Sequence, residues 1–263
     1  MNTNKTTTLQ IANILGFIFT ITLNTLAVTL PIGGRSTGEI SDYYPNLFVP
    51  AGYAFSIWSL IYSLLLVFII LQSRNLFSKS KEGPAYVQTI GWWFVISCLA
   101  NGSWILAWHY LWTALSLLIM IGILVSLIFI YERLRLAPES VSIPFWIKLP
   151  FSVYLGWISV ATIANATALL VSWEWNGFGI SEISWTVTML IIGGLLGSLV
   201  LWLRRDLAYV LVIVWAFWAI VVKRQGFAVP EESIIISTVY GVLGVFLLLA
   251  ILRFFIIRPQ RVA

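Results

Sequence analysis

The chain has 263 residues, 60% of them hydrophobic and 10% charged, with mean hydropathy +0.96 and a formal net charge of +5. Soluble domains carry about 25% charged residues, so the composition points away from water and toward lipid as the solvent. The basic residues are scattered, with no run dense enough to follow a phosphate backbone, which argues against nucleic acid as a partner.

Apolar stretches at 9–30, 51–72, 87–108, 112–131, 149–171, 185–203, 207–222 and 234–257 predict eight membrane-spanning helices. Each is near the ~20 residues that cross a bilayer as a helix, the form that satisfies its own backbone hydrogen bonds where water is absent. The expected fold is therefore all-α, a polytopic membrane helix bundle. Lys5 precedes the first stretch as in a secretory leader, but this stretch of 22 residues is longer than a leader core and no convincing cleavage site follows. It is read as a retained helix. With the N-terminus inside, Lys5, Arg74, Lys79, Lys81, Arg133, Arg135, Lys148, Arg204, Arg205, Arg253, Arg258 and Arg261 fall on the cytoplasmic side. Only Arg35, Lys223 and Arg224, of 15 basic residues, fall outside. That asymmetry predicts a protein of the cytoplasmic membrane with both termini cytoplasmic.

The first external loop, 31–50, is long for a helix–helix connection and is either a lid over the bundle or a solvated tether. On span two, Trp58 and Tyr62 are i, i+4 and share a face. Span three holds Cys98, the only cysteine, which rules out an internal disulfide. It also carries Asn101, Trp104 and Trp108 at i, i+3, i+7. Residues 109–111 are so few that spans three and four must be antiparallel neighbours. Span five carries Tyr154, Trp157, Ala161 and Asn165 at i, i+3, i+7, i+11. Segment 172–184, with Trp173, Glu174, Trp175 and Glu182, separates five helices from three. In span six, Gly193 and Gly197 form a G-x-x-x-G that favours close packing within the chain, with a homodimer as the alternative.

Absences narrow the chemistry. No acidic residue lies clearly within a span, and the single histidine, His109, has no neighbours of metal-ligand or nucleophile type. Hydrolysis, metal redox chemistry and proton pumping gain no support. His109 reads as an interfacial polar residue. Many of the 14 Trp sit where an aromatic belt places them. The deeper ones share faces with amide and phenol groups at similar depth on spans two, three and five. Those faces describe either an aromatic-walled cavity for a flat apolar molecule or plain interhelical packing.

The same positions resemble the TspO/MBR family, the tryptophan-rich sensory proteins that include the mitochondrial translocator protein. Pro50-Ala51-Gly52-Tyr53-Ala54-Phe55-Ser56-Ile57-Trp58, running on to Tyr62, is similar to the signature that opens the family's second helix. Leu99-Ala100-Asn101-Gly102-Ser103-Trp104 looks like its third-helix motif, with Leu displaced by one residue. Pro150, Tyr154, Trp157, Ala161 and Asn165 look like its fifth-helix motif. Departures are Ala51 for a second Pro, Tyr53 for a Trp, and a Pro–Tyr pair split by Phe151, Ser152 and Val153.

The resemblance covers about residues 9–175, leaving the last three helices outside the pattern. It divides the chain into a five-helix unit at 1–175 and a three-helix extension at 176–263. It implies a pocket under the first loop for a porphyrin-like or sterol-like ligand, a bound tetrapyrrole among them, with no cofactor required. Pro50, Tyr53, Phe55, Trp58, Tyr62, Asn101, Trp104, Trp108, Tyr154, Trp157, Ala161 and Asn165 are the candidate ligand-binding residues. Family members are described as sensors, regulators or carriers, with light-dependent porphyrin breakdown reported for some. A carrier of lipid-like metabolites and an intramembrane enzyme acting on a tetrapyrrole or isoprenoid are the alternative readings.

Overall fold

The computed structural model describes residues 3–30, 32–77, 83–226 and 232–256. Among them are ten α-helices and no strand: α1 (Thr3–Thr29), α2 (Thr37–Tyr43), α3 (Ile57–Ser73), α4 (Ala85–Ile90), α5 (Trp93–His109), α6 (Thr113–Arg135), α7 (Phe145–Ser172), α8 (Glu182–Arg204), α9 (Leu207–Gln225) and α10 (Ser233–Ile251). Seven of the described helical segments are long and apolar enough to cross a membrane. The remaining expected span, the third, is represented by α5, which has 17 residues, at the lower limit of about 17–25 for a crossing helix.

Two expected spans begin differently. The third, placed at 87–108, is broken: α4 ends at Gly91, whose φ of +64° no other residue type adopts cheaply, and α5 starts beyond it. The second opens as a 3-10 turn, Gly52–Ser56, before α3, so Trp58 sits in the first turn of the α-helix. Pro31, Lys79, Lys81, Arg258, Arg261 and the end of the eighth span at 257 lie outside the described residues.

Within the bundle α5 packs on α1 and α6, α6 on α7, and α7 on both α3 and α9. Helices α8, α9 and α10 pack on one another, and α8 barely meets α7. Small residues set these approaches. A Cβ on Gly156 of α7 would lie 2.8 Å from the Tyr209 carbonyl oxygen of α9. Gly193 and Gly197 face Phe217 of α9 and Phe246 of α10, so the G-x-x-x-G is used inside the chain. Polar side chains tie helices where lipid gives no hydrophobic drive: Asn13 donates to Gln72 at 2.8 Å, and Gln72 to the Gln10 carbonyl at 3.2 Å, locking α1 to α3.

The first loop folds back as a flap. Ser36 caps α2 in a reciprocal box with Glu39, and Ile40, Tyr44 and Phe48 are buried beneath it. His109 is buried, with Nδ1 2.8 Å from the Ile32 carbonyl oxygen and Nε2 3.2 Å from the Thr37 hydroxyl. A carbonyl only accepts, so the ring carries a hydrogen on Nδ1 and donates it to Ile32. Its role is to anchor the flap, which is a more specific task than that of a polar residue at the membrane surface.

Candidate functional site

Three faces meet around Trp58. Its ring stacks on Tyr62 at 5.3 Å and lies 6.2 Å from Trp104, 5.8 Å from Tyr154 and 6.2 Å from Trp157. Trp104 in turn stacks on Trp108 at 5.8 Å, and Phe55 meets Trp157 edge-on at 5.9 Å. The i, i+4 and i, i+3 spacings on α3, α5 and α7 produce this cluster directly.

The two amides do different things. Asn101 is buried and bonded at both ends of its amide: its NH₂ donates to the Tyr154 hydroxyl at 2.6 Å, and its oxygen accepts from Asn24 of α1 at 2.8 Å and Tyr62 at 3.4 Å. It is a knot joining α1, α3, α5 and α7. Asn165 donates to Ser116 of α6 at 2.7 Å, while its buried oxygen has no hydrogen-bond partner. The buried indole nitrogens of Trp104 and Trp157 also have none.

All three of those residues line one inner hollow, together with Pro50, Phe55, Trp58, Trp108 and Ala161 from the expected set. Its volume is about 40 Å³, room for a few waters at most, whereas small-molecule clefts run to about 300–1,000 Å³. A tetrapyrrole does not fit in the hollow as it stands. A second, open groove of about 610 Å³ runs between α1, α2 and α3, and Phe55 and Trp58 belong to both. Tyr62 lines this groove. Tyr53 is turned aside, meeting Trp215 edge-on at 5.3 Å with two-fifths of its surface exposed. Tyr154 and Asn101 support the cluster from beneath rather than lining either hollow.

The hollow has walls that the three motifs do not contain. Ser41 and Phe48 of the flap, Met120 of α6, Val160 and Ala164 of α7, and Ala216 and Ile220 of α9 complete it. Helix α9 reaches the site through three contacts: the Ala51 N–H donates to the Ala219 carbonyl at 3.0 Å, Trp215 donates to the Ala54 carbonyl at 3.1 Å, and Phe48 meets Phe217 edge-on. Helix α9, from the C-terminal part of the chain, is thus part of the wall. Ser41, Phe48, Ala216 and Ile220 carry no polar-tipped stripe, so nothing in their spacing marks them. In the flap, Ser36-Thr37-Gly38-Glu39 has the spacing of a capping box, a signal that points to α2.

Electrostatically the cluster is neutral. The charges above it belong to the flap, where Asp42 pairs with Lys223 at the end of α9 and the Leu47 N–H donates to the Glu182 carboxylate of α8 at 2.9 Å.

A family model described as TSPO-like protein matches residues 10–252. The match runs through α8 and α9 and past the end of α10, which corrects the expectation that the last three helices fall outside the family pattern. Comparison with curated proteins and with solved structures gave no match.

Proposed function

The chain belongs to the TSPO-like protein family, and on that premise we propose that it binds a planar, largely apolar ligand, porphyrin-like or sterol-like, in the aromatic part of its bundle. It acts in the cytoplasmic membrane as a sensor, regulator or carrier, with both termini on the cytoplasmic side. The observation that carries this reading is the position of Trp58, which belongs at once to the open 610 Å³ groove and to the inner hollow and touches four other rings.

A ligand of tetrapyrrole size lies in the groove, with its flat face against Trp58 and Tyr62 and its edge over Phe55. Entry further inward requires Trp58 to swing. The unpartnered Trp104 and Trp157 N–H groups and the Asn165 oxygen then give the ligand's polar edge two donors and one acceptor. Each aromatic pair contributes about 0.5–1.5 kcal/mol beyond burial, so loss of Trp58 and Trp157 together weakens binding by roughly 5- to 150-fold. Protoporphyrin titrated into purified protein, followed by tryptophan quenching, tests the assignment. Equal affinity in wild type and Trp58→Ala/Trp157→Ala removes it. Flux of the same ligand into proteoliposomes separates a carrier from a sensor.

A further inference from the structure

At the end of the bundle opposite the flap, a second hollow of about 610 Å³ opens where α6, α7, the α8–α9 junction and the end of α10 meet. Four cations line it: Arg135 from the last turn of α6, Lys148 from the first turn of α7, and Arg204 and Arg205 from the end of α8. Its one carboxylate, Asp206, accepts from Tyr131 at 2.9 Å, Ser152 at 2.6 Å and the Tyr209 N–H at 3.0 Å while capping α9. Glu132 nearby pairs with Arg135 at 2.6 Å and Arg204 at 3.2 Å. Lys148 and Arg205 make no ion pair with any described residue, and the Arg205 Nε is buried without a hydrogen-bond partner. Arg205 also holds φ +53° as the left-handed cap of α8, a position that favours Gly or Asn.

This basic hollow continues into an apolar one. A cleft of about 470 Å³ shares Tyr131 and Arg204 with it and runs up between α6, α7 and α8, past Leu199, Leu196 and Ile163 to Ile192. It exists because α8 packs on α9 and α10 and hardly touches α7. From Arg204 to Ile192 is about 18 Å at 1.5 Å per residue, close to the ~15 Å of one hydrocarbon leaflet. A phosphate-sized excess of positive charge at the membrane surface, joined to an apolar cleft one leaflet deep, has the shape and polarity of one lipid class.

The geometry points to a structural site for an anionic diacyl phospholipid at the seam between α6–α7 and α8, independent of the aromatic site. The headgroup phosphate sits between Lys148 and Arg205, where a guanidinium offers a fork of donors, and one acyl chain fills the cleft. Such a lipid completes a helix interface that protein side chains leave open.

Native mass spectrometry of the full chain, released from detergent supplemented with equal phosphatidylglycerol and phosphatidylcholine, tests this. The expected result is one retained phosphatidylglycerol at about tenfold preference. Lys148→Gln/Arg205→Gln loses that preference, whereas Arg74→Gln/Arg133→Gln, with equal charge removed elsewhere, keeps it. Leu199→Trp, which fills the cleft, also loses the lipid. Equal retention of both lipids, or equal loss in the two charge variants, overturns the site. Glycerol phosphate competing as well as the lipid shows a free-phosphate site and overturns the acyl-chain assignment. Should the variants misfold, spin-labelled lipids on the wild-type protein give the same decision: a motionally restricted fraction for phosphatidylglycerol no larger than for phosphatidylcholine rejects the proposal.

Discussion

The Trp215 indole N–H donates to the Ala54 carbonyl oxygen at 3.1 Å, joining α9 to the 3-10 turn that delivers Trp58 to the aromatic cluster. Ala54 is fully buried, and its carbonyl accepts the indole alongside the Ile57 N–H that closes the turn. Trp215→Phe keeps an aromatic ring and deletes the donor, and unfolding stability is expected to fall by about 1 kcal/mol. Porphyrin affinity falls with it, because the turn loses its fixed position. Unchanged values for both, from denaturant titration and tryptophan quenching, show that α9 does not support the site.

Asn101 spends both ends of its amide on other helices. Asn101→Ala leaves the Tyr154 hydroxyl and the Asn24 amide without that partner. The expected cost is about 1–2 kcal/mol, near the upper end of measured interhelical bonds in membranes. Unfolding titration of wild type, Asn101→Ala, Tyr154→Phe and the double variant measures the coupling, and additive losses contradict the knot.

Gly102 lies where the Phe19 ring of α1 crosses α5, so a methyl group there meets the ring and Leu23. Gly102→Ala is expected to destabilise by about 1–3 kcal/mol through overpacking. Gly122, with nothing near its would-be Cβ, serves as the control. Gly122→Ala is neutral or stabilising, because alanine is the better helix former. Equal thermal unfolding of both variants contradicts the tight α1–α5 crossing.

The Ser36 backbone N–H, donating to the Glu39 carboxylate at 2.7 Å, is the main cause that holds this exposed carboxyl below its usual 4.5. A lowered value means that the folded state favours the ionised form. The cap's contribution is therefore complete above about pH 4.5 and is lost as pH falls through the folded value. Amide exchange across residues 36–44 is expected to rise on acidification in wild type. In Glu39→Gln, whose amide is neutral at every pH, that part of the rise disappears. An identical pH profile in the two proteins contradicts it.

The convergence of Trp58, Tyr62, Trp104, Tyr154 and Trp157 was legible because each is large, polar-tipped and periodic on its helix. Period alone leaves open what the amides do. Asn101 turned out to be an interhelical tie, the packing alternative, whereas Asn165 keeps an unpartnered oxygen at the hollow. The contribution of α9 was not legible. Ala216 and Ile220 look like any lipid-facing residues, and only the fold shows which apolar face turns inward. Gly91 was likewise silent, since a glycine within an apolar run reads as a span interior until its φ is known.

The flap is held on all sides: Trp108 donates to the Thr37 carbonyl at 3.2 Å, His109 grips Ile32, Asp42 meets Lys223, and Leu47 bonds Glu182. Lifting it from the aqueous side breaks these fastenings together, whereas the groove between α1 and α3 already stands open. On the proposed function, a guest would therefore enter sideways between these helices after dissolving in the bilayer. Its dose at the protein is set by its lipid–water partition coefficient, and dissociation constants compared across micelles and vesicles agree only when expressed as mole fraction in the membrane phase.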